Sequence, residues 1–466
     1  MGGGLSITGG ANGIAARYDD LLTHARLLDE VAGDLGEAAT MLARVNLSPD
    51  IAGAAVLCPI EVAEAEAALV AANIGPDGVA VAGAKAEASA AFLRFSVTAY
   101  REVDEIRSRA VDGLTFSVRF AIGSVGLPVT LTVAAGLAVA PNRGDLINEA
   151  QQFAYDHPWV QDVFARSAPG VVEGSASALV GGNPIFLRLI SGGHWPSSDL
   201  EGAMKGLLAI GGTAGLLKDS GSFSVEPVGE PHPVDLSSAD FVSGLLLKQR
   251  DLSQEPGTLQ VITVDGIAGK SYIVQIPGTQ EWNPARGDNP VDLTTNVNVM
   301  AGSQTVMAGA VIHAMRQAHI PARAPVMLTG HSQGGIVAAT IAADPEYRRE
   351  FNISAVVTAG SPIAHVPIPE DVSVLSLEEK QDIVPKLDGA ANPDRPNWVT
   401  VTRDLTVATE TDGDLFTAHS LSNYVRTGQG VDTSWEASLV QWRATTGDFF
   451  GHGTGQRFAI QREDVP

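Results

Sequence analysis

A serine flanked by glycines is the residue of this chain best suited to nucleophilic chemistry. Ser332 stands in the pentapeptide Gly-His-Ser-Gln-Gly at 330–334, between a strand-like apolar run at 324–329 and a helix-like run of small residues at 335–343. Because glycine has no Cβ, it lets neighbouring backbone approach closely in the strained turn where a strand becomes a helix. The pattern predicts a nucleophile elbow, in which the Ser332 hydroxyl is lifted clear of a sheet.

Two further residues could activate this serine. A serine hydroxyl is a poor nucleophile at neutral pH and needs a general base, which in turn needs an anion to orient it. After an elbow of this kind, the acid and then the histidine come later in the chain. Asp382 comes after a predicted strand at 372–376, and His419 comes after a predicted strand at 399–401. We therefore predict Ser332 as the nucleophile, Asp382 as the acid and His419 as the base.

Some neighbouring residues are alternatives to these three. Glu378 or Glu379 is the alternative acid, and His452 in the glycine-rich tail is the alternative base. His365 comes too early in the chain to be the base. His331 is expected to point away from the site, because it occupies the variable position of the elbow motif.

The site also needs an oxyanion hole, in which each hydrogen-bond donor contributes on the order of 3 kcal/mol. The backbone N–H of Gln333, directly after the serine, is the first predicted donor. Thr279 comes after a predicted strand at 272–276 and a Pro-Gly pair, and its N–H and hydroxyl are the second. The alternative interpretation of Thr279 is an ordinary strand-ending turn.

The segments that must position these residues alternate between strand-like and helix-like patterns. Strand-like runs occur at 259–264, 272–276, 326–329, 354–358, 372–376 and 399–401. Helix-like runs occur at 298–319, 335–343 and 420–426. This alternation predicts a parallel sheet with crossover helices, so residues directly after its strands would meet at one edge.

Residues 255–430 resemble the class 3, or fungal-type, lipases. The matching pieces are Pro-Gly-Thr at 277–279, Asp-Leu at 292–293, the elbow with Gly335, Ala-Gly-Ser-Pro at 359–362, Asp-Ile-Val-Pro-Lys-Leu at 382–387, and His419 with Tyr424. The resemblance implies an α/β-hydrolase fold with a mainly parallel sheet, and the same roles for the predicted triad and oxyanion residues. Two departures are Pro277, where these lipases often carry arginine, and a single cysteine, which precludes the disulfides of secreted fungal members.

The first 110 residues are predicted to form a separate α-helical domain. Apolar or small residues recur in steps of four and three from Ile14 to Leu42, and further helices are predicted at 60–72 and from 79 to about 109. With Tyr100 and Asp104 at its end, this hairpin resembles the substrates of type VII secretion systems, although it lacks their Trp-x-Gly turn. The resemblance implies that Tyr100 and Asp104 form an export signal read by a secretion partner or chaperone.

Charge and composition narrow the function further. The chain has 53 acidic and 30 basic residues, a formal charge of -23, which argues against a nucleic-acid partner. The first residues lack the basic and apolar regions of a cleaved signal peptide. We therefore expect secretion without such a peptide, or otherwise a cytoplasmic or membrane-associated protein. The uncharged segment 120–140 is predicted to be buried or to insert conditionally, which would give membrane contact. We expect no cofactor and no metal, because Cys-x-x-Cys and His-Glu-x-x-His spacings are absent from the sequence.

We predict three regions along the chain. They are an α-helical hairpin-like domain at 1–110, a Gly/Ala-rich apolar helical region at 111–222, and an α/β-hydrolase domain at 223–466. The predicted function is hydrolysis of lipid or other apolar acyl esters through an acyl-enzyme, by an exported effector. The alternative is a catalytically inactive hydrolase fold that serves as a binding scaffold, or a secreted effector that interacts with membranes.

Overall fold

The computed structural model describes most of the chain from residue 184 onward and parts of the region before it. The described residues are 5–10, 14–46, 51, 54, 57–74, 78–87, 89–90, 94, 152, 155–156, 158, 161, 165, 173, 184–195, 197, 199–213, 215–236, 240–266, 269–283, 285–407 and 415–463. They belong to two compact units, Ile14–Ala110 and a second unit that combines Met1–Gly13 with Val111–Pro466. Tyr100, Asp104 and the segment 120–140 lie outside the described residues.

The smaller unit is helical, as its apolar spacing predicts. Helix α1 (Ile14–Asn46) is continuous, and α2 (Pro59–Ile74) comes after it. The chain is helical again at 79–87, where Gly83 lies close to Leu35 of α1. By length and composition alone, the stretch Pro59–Glu87 is long and apolar enough to cross a membrane, a test that core helices of other proteins also pass.

The larger unit is built on a nine-stranded sheet. Its strands are β1 (Leu5–Gly9), β2 (Phe223–Leu236), β3 (Thr258–Gly266), β4 (Gly269–Ile276), β5 (Pro325–His331), β6 (Asn352–Ala359), β7 (Ser373–Glu379), β8 (Trp398–Arg403) and β9 (Gly451–Arg462). Their order across the sheet is β1-β8-β7-β6-β5-β4-β3-β9-β2. Strands β4 to β8 are parallel, and the pairs on either side are antiparallel. The predicted α/β fold with a parallel central sheet is confirmed.

All six predicted strands are present, but the sequence did not indicate β1, β2 and β9. Strand β2 contains three prolines and pairs only with β9, as an edge strand that tolerates missing N–H donors. Strand β9 contains three glycines, which weaken any strand pattern. Strand β1 pairs with β8, so the first residues belong to the larger unit. The helical unit therefore begins at Ile14, and not at residue 1 as the predicted helical domain at 1–110 does.

Helices cover both faces of the sheet. In chain order, the helices described in this unit are α3 (Pro184–Ile190), α4 (Leu200–Thr213), α5 (Phe241–Leu252), α6 (Leu293–Met300), α7 (Val306–Gln317), α8 (Gln333–Ala343), α9 (Pro345–Glu350), α10 (Leu415–Ala418), α11 (Leu421–Thr433) and α12 (Ala437–Thr445). One apolar core includes Ile312 of α7 and Val337 of α8. The other, on the opposite face, includes Leu245 of α5 and Tyr424 of α11.

The prediction of one helix at 298–319 is wrong. Helix α6 ends at Met300, and α7 begins only at Val306. Gly302 between them has a φ of 69°, a left-handed conformation that ends a helix and favours glycine. Thr305 then caps α7, because its side chain accepts a hydrogen bond from the backbone N–H of Ala308.

Candidate active site

Ser332 occupies a strained turn between β5 and α8. Its φ of 53° and ψ of -123° are unfavourable for a residue with a side chain, at a cost of about 1–3 kcal/mol. The glycines around it explain how the turn fits: a Cβ on Gly330 would lie 2.2 Å from the Gly334 carbonyl carbon, and one on Gly334 would lie 2.1 Å from the Ile276 oxygen. The geometry is that of the predicted elbow.

Asp382 and His419 are in direct contact. His419 Nδ1 lies 2.7 Å from Asp382 Oδ2, and the Asp382 side chain is fully buried. The other carboxylate oxygen, Oδ1, accepts a hydrogen bond from the Val384 N–H at 2.9 Å. Oδ2 also accepts one from the Tyr424 hydroxyl at 2.6 Å. These contacts fix the carboxylate, which in turn can hold one tautomer of the imidazole.

Ser332 and His419 line the same cavity, whose volume is about 450 Å³. The end of β6 links them: the Ser332 N–H donates to the carbonyl of Ala359, the last residue of β6, at 2.9 Å. The next residue, Gly360, lies so close to His419 that a Cβ there would be 3.0 Å from its Nδ1. The structure therefore brings the three predicted residues together at the carboxyl edge of the parallel strands, as their positions after strands predict.

His331 points into the site, contrary to the expectation that it would point away. Its Nε2 lies 3.0 Å from the His419 carbonyl oxygen, and the two imidazole rings are 4.5 Å apart. Burial, and to a lesser extent the charge of His419, lowers the pKa of His331 well below its ordinary value. The ring is therefore neutral and donates from Nε2 to the carbonyl.

The two predicted oxyanion donors lie beside the serine. Gln333 is the first residue of α8, a position whose backbone N–H has no acceptor within the helix. Thr279 lines the cavity, and Gly278 before it packs so tightly that a Cβ would lie 3.3 Å from Ser332 Cβ. Asn296 Nδ2 donates to Thr279 Oγ1 at 2.9 Å, which leaves the threonine proton available to another acceptor.

A comparison with known protein families identifies this region. The model of a family described as PGAP1-like alpha/beta domain matches residues 294–423, less than half of the chain. The match includes Ser332, Asp382 and His419. This match and the mainly parallel sheet agree on an α/β-hydrolase fold for this part of the chain. No curated protein and no solved structure matches the chain. The resemblances to class 3 lipases and to type VII secretion substrates remain predictions.

A buried ion cluster, which the sequence did not indicate, lies beside the predicted oxyanion donor Gln333. Arg462 Nη1 lies 2.6 Å from Asp292 Oδ2, and Arg462 Nη2 lies 2.7 Å from Asp219 Oδ1. Asp292 also caps α6 by accepting from the Thr295 N–H at 2.9 Å. Its carbonyl oxygen receives the Gln333 side chain at 2.6 Å, so this cluster is linked to the elbow.

The alternative acids and the alternative base of the hydrolase domain have other partners. Glu379 is buried against Arg403 at 3.2 Å, and burial raises its pKa to about 7. Glu378 accepts from Asn392 Nδ2 at 2.6 Å. His452 is exposed and lies 3.2 Å from Asp235. In the part of the chain that the structure describes, no group of three or more His, Cys, Asp or Glu side chains could hold a metal ion.

Proposed function

We propose that this chain is a serine hydrolase of carboxylic esters, with Ser332 as nucleophile, His419 as base and Asp382 as acid. The observation that carries the proposal is the 2.7 Å contact between His419 Nδ1 and the buried Asp382, in the cavity that the strained Ser332 also lines. The family match supports a hydrolase in general. The ester as substrate and the residue roles are our inference from the geometry.

The proposed reaction has two halves. In the first, Ser332 Oγ attacks the ester carbonyl carbon and gives its proton to His419 Nε2, and the oxyanion accepts hydrogen bonds from Gln333 and Thr279. The bond to the alcohol then breaks, and His419 returns the proton to the departing alkoxide. In the second half, water attacks the acyl-enzyme, its proton passes through His419 back to Ser332, and the carboxylic acid leaves.

The resemblance to class 3 lipases favours lipid or another apolar acyl ester as the substrate. The cavity wall includes Leu421, Trp282 and Pro256, which offer apolar contacts to an acyl chain. Export as an effector through Tyr100 and Asp104 rests on the sequence resemblance alone and is proposed on that basis.

The experiment that tests the proposal is hydrolysis of 4-nitrophenyl esters of increasing acyl length and of phospholipid vesicles. We expect turnover by the wild type, and a loss of at least about a thousandfold in kcat for Ser332→Ala. Ser303→Ala, in the loop between α6 and α7, is the matched control and should retain full activity. Turnover that survives in folded Ser332→Ala would contradict the proposed role of this serine. A folded wild type that hydrolyses none of the esters would favour the binding scaffold.

A further inference from the structure

The catalytic cavity is lined by a positive side chain, whereas the chain as a whole is strongly negative. Although the chain has 53 acidic and 30 basic residues, Arg250 is the one permanently charged side chain among the described residues that line the cavity. No described lining residue is a carboxylate, and His331 is neutral. The rest of the wall near Arg250 consists of hydroxyl and amide side chains, such as Ser253 and Gln254.

The backbone that carries Arg250 is held firmly against the oxyanion side of the site. Arg250 is in the last turn of α5, and its neighbour Gln249 donates from Nε2 to the Ile276 carbonyl, at the end of β4, at 2.7 Å. Beyond α5, the side chain of Gln280 accepts from the Gly257 N–H at 2.8 Å and donates to the Glu255 carbonyl at 3.0 Å. The loop after Arg250 is thereby joined to the loop that contains Thr279.

Among the residues that the structure describes, the guanidinium of Arg250 has only a weak carboxylate partner. The nearest carboxylate oxygen, Asp251 Oδ1, is 3.6 Å away, beyond hydrogen-bond distance. Both side chains are well exposed, at 44% for Arg250 and 66% for Asp251. Exposed pairs of this kind contribute little, so Asp251 does not compete strongly with a ligand for the guanidinium.

We propose that Arg250 selects esters that carry an anionic group, a carboxylate or a phosphate, close to the scissile bond. This inference rests on the proposed ester hydrolysis. A guanidinium offers two parallel N–H donors that match the oxygens of a carboxylate or phosphate. Selection acts at short range, because the net charge of -23 repels anions at a distance. The preferred substrate is therefore an acyl ester with a negatively charged part, rather than a neutral one.

The test compares esters that differ only in one carboxylate. In the first pair, 4-nitrophenyl hexanoate and 4-nitrophenyl hydrogen adipate, the carboxylate is on the acyl part. In the second pair, methyl 4-(hexanoyloxy)benzoate and 4-(hexanoyloxy)benzoate, it is on the alcohol part. We expect Arg250→Gln to raise KM about tenfold for the anionic member of one pair, and to leave the neutral members unchanged. The affected pair shows which part of the substrate faces Arg250.

Two further variants make the result specific to this side chain. Arg250→Lys keeps the charge but loses the paired donors, so it should recover part of the selectivity. Lys248→Gln removes a positive charge from the same helix outside the cavity lining and should leave both pairs unchanged. Equal effects of Arg250→Gln on anionic and neutral members, or no effect on either, would overturn the proposal. Ser332→Ala separates the two ideas, because activity that survives in it contradicts the ester hydrolase itself.

Discussion

The Tyr424 hydroxyl donates a hydrogen bond to Asp382 Oδ2, 2.6 Å away, the same oxygen that contacts His419 Nδ1. Burial, reinforced by the negative charge of Asp382, raises the pKa of Tyr424 well above its ordinary value. The hydroxyl therefore keeps its proton throughout the neutral range and acts as a permanent donor. It connects α11 to the loop after β7, and so fixes the carboxylate that would orient His419, the proposed base.

We expect Tyr424→Phe to lower kcat by about ten- to hundredfold with little change in KM. The substitution leaves the ring in place but removes a donor from the carboxylate, which is then free to rotate away from His419. Tyr272→Phe is the matched control, since Tyr272 is buried in the middle of β4 and does not line the cavity. An unchanged kcat in Tyr424→Phe would show that Asp382 is held adequately without this hydroxyl.

Asn296 gives a second prediction, because it decides where the Thr279 proton points. In Asn296→Asp, a carboxylate acceptor of the same shape replaces the amide donor. The Thr279 hydroxyl would then donate its proton to this carboxylate instead of to the oxyanion. We expect kcat to fall by about ten- to hundredfold at nearly constant KM, because the lost bond forms only in the transition state.

The double variant tests whether Asn296 acts through Thr279. Thr279→Val removes the hydroxyl, so Asn296→Asp should cost little more when both changes are combined. If the losses in transition-state stabilisation from the two single variants simply add in the double variant, Asn296 acts through another group. Thr279→Ser, which keeps the hydroxyl, should stay close to the wild type.

The burial of His331 should make the protein less stable at low pH. Folding lowers its pKa from an ordinary value of 6.5, so below this pH the unfolded chain takes up a proton that the folded chain does not. The free energy of unfolding should therefore decrease as pH falls below about 6.5, by up to roughly 1.4 kcal/mol per pH unit from this group.

Urea unfolding between pH 5 and 8 measures this effect. His331→Gln can still donate to the His419 carbonyl but cannot titrate, so its stability should fall less steeply at low pH than that of the wild type. The exposed His194→Gln should behave like the wild type. Parallel curves for wild type and His331→Gln would contradict the lowered pKa.

The sequence predicts this site as far as its residues come directly after continuous apolar strands. Ser332 and Asp382 lie just beyond such runs, and parallel strands bring the residues at their carboxyl ends to one edge of the sheet. His419 also follows a strand, β8, but the helix α10 lies between them, so the order of the residues along the chain was needed to predict it. The glycines at 330 and 334 indicate the elbow, because backbone atoms fill the places where their side chains would be.

The remaining features depend on contacts that no local pattern records. Arg462 reaches Asp292 from 170 residues away, and His331 binds a backbone carbonyl 88 residues away. Neither contact corresponds to a residue spacing that could be recognised in the sequence. The sequence does not indicate strand β2, because its prolines resemble loop residues, although an edge strand accommodates them. The break at Gly302 does have a local signal, because Gly-Ser-Gln-Thr at 302–305 is a polar run that ends in a capping threonine, but the apolar residues before and after it favoured the prediction of one helix.

The most direct test of the central claim is covalent labelling with a fluorophosphonate, combined with mass spectrometry of the digested protein. We expect one adduct, on the peptide that contains Ser332, with labelling slowed by orders of magnitude in His419→Ala because the serine then lacks its base. No adduct on the folded wild type, or an adduct on another serine, would contradict the proposal that Ser332 is an activated nucleophile.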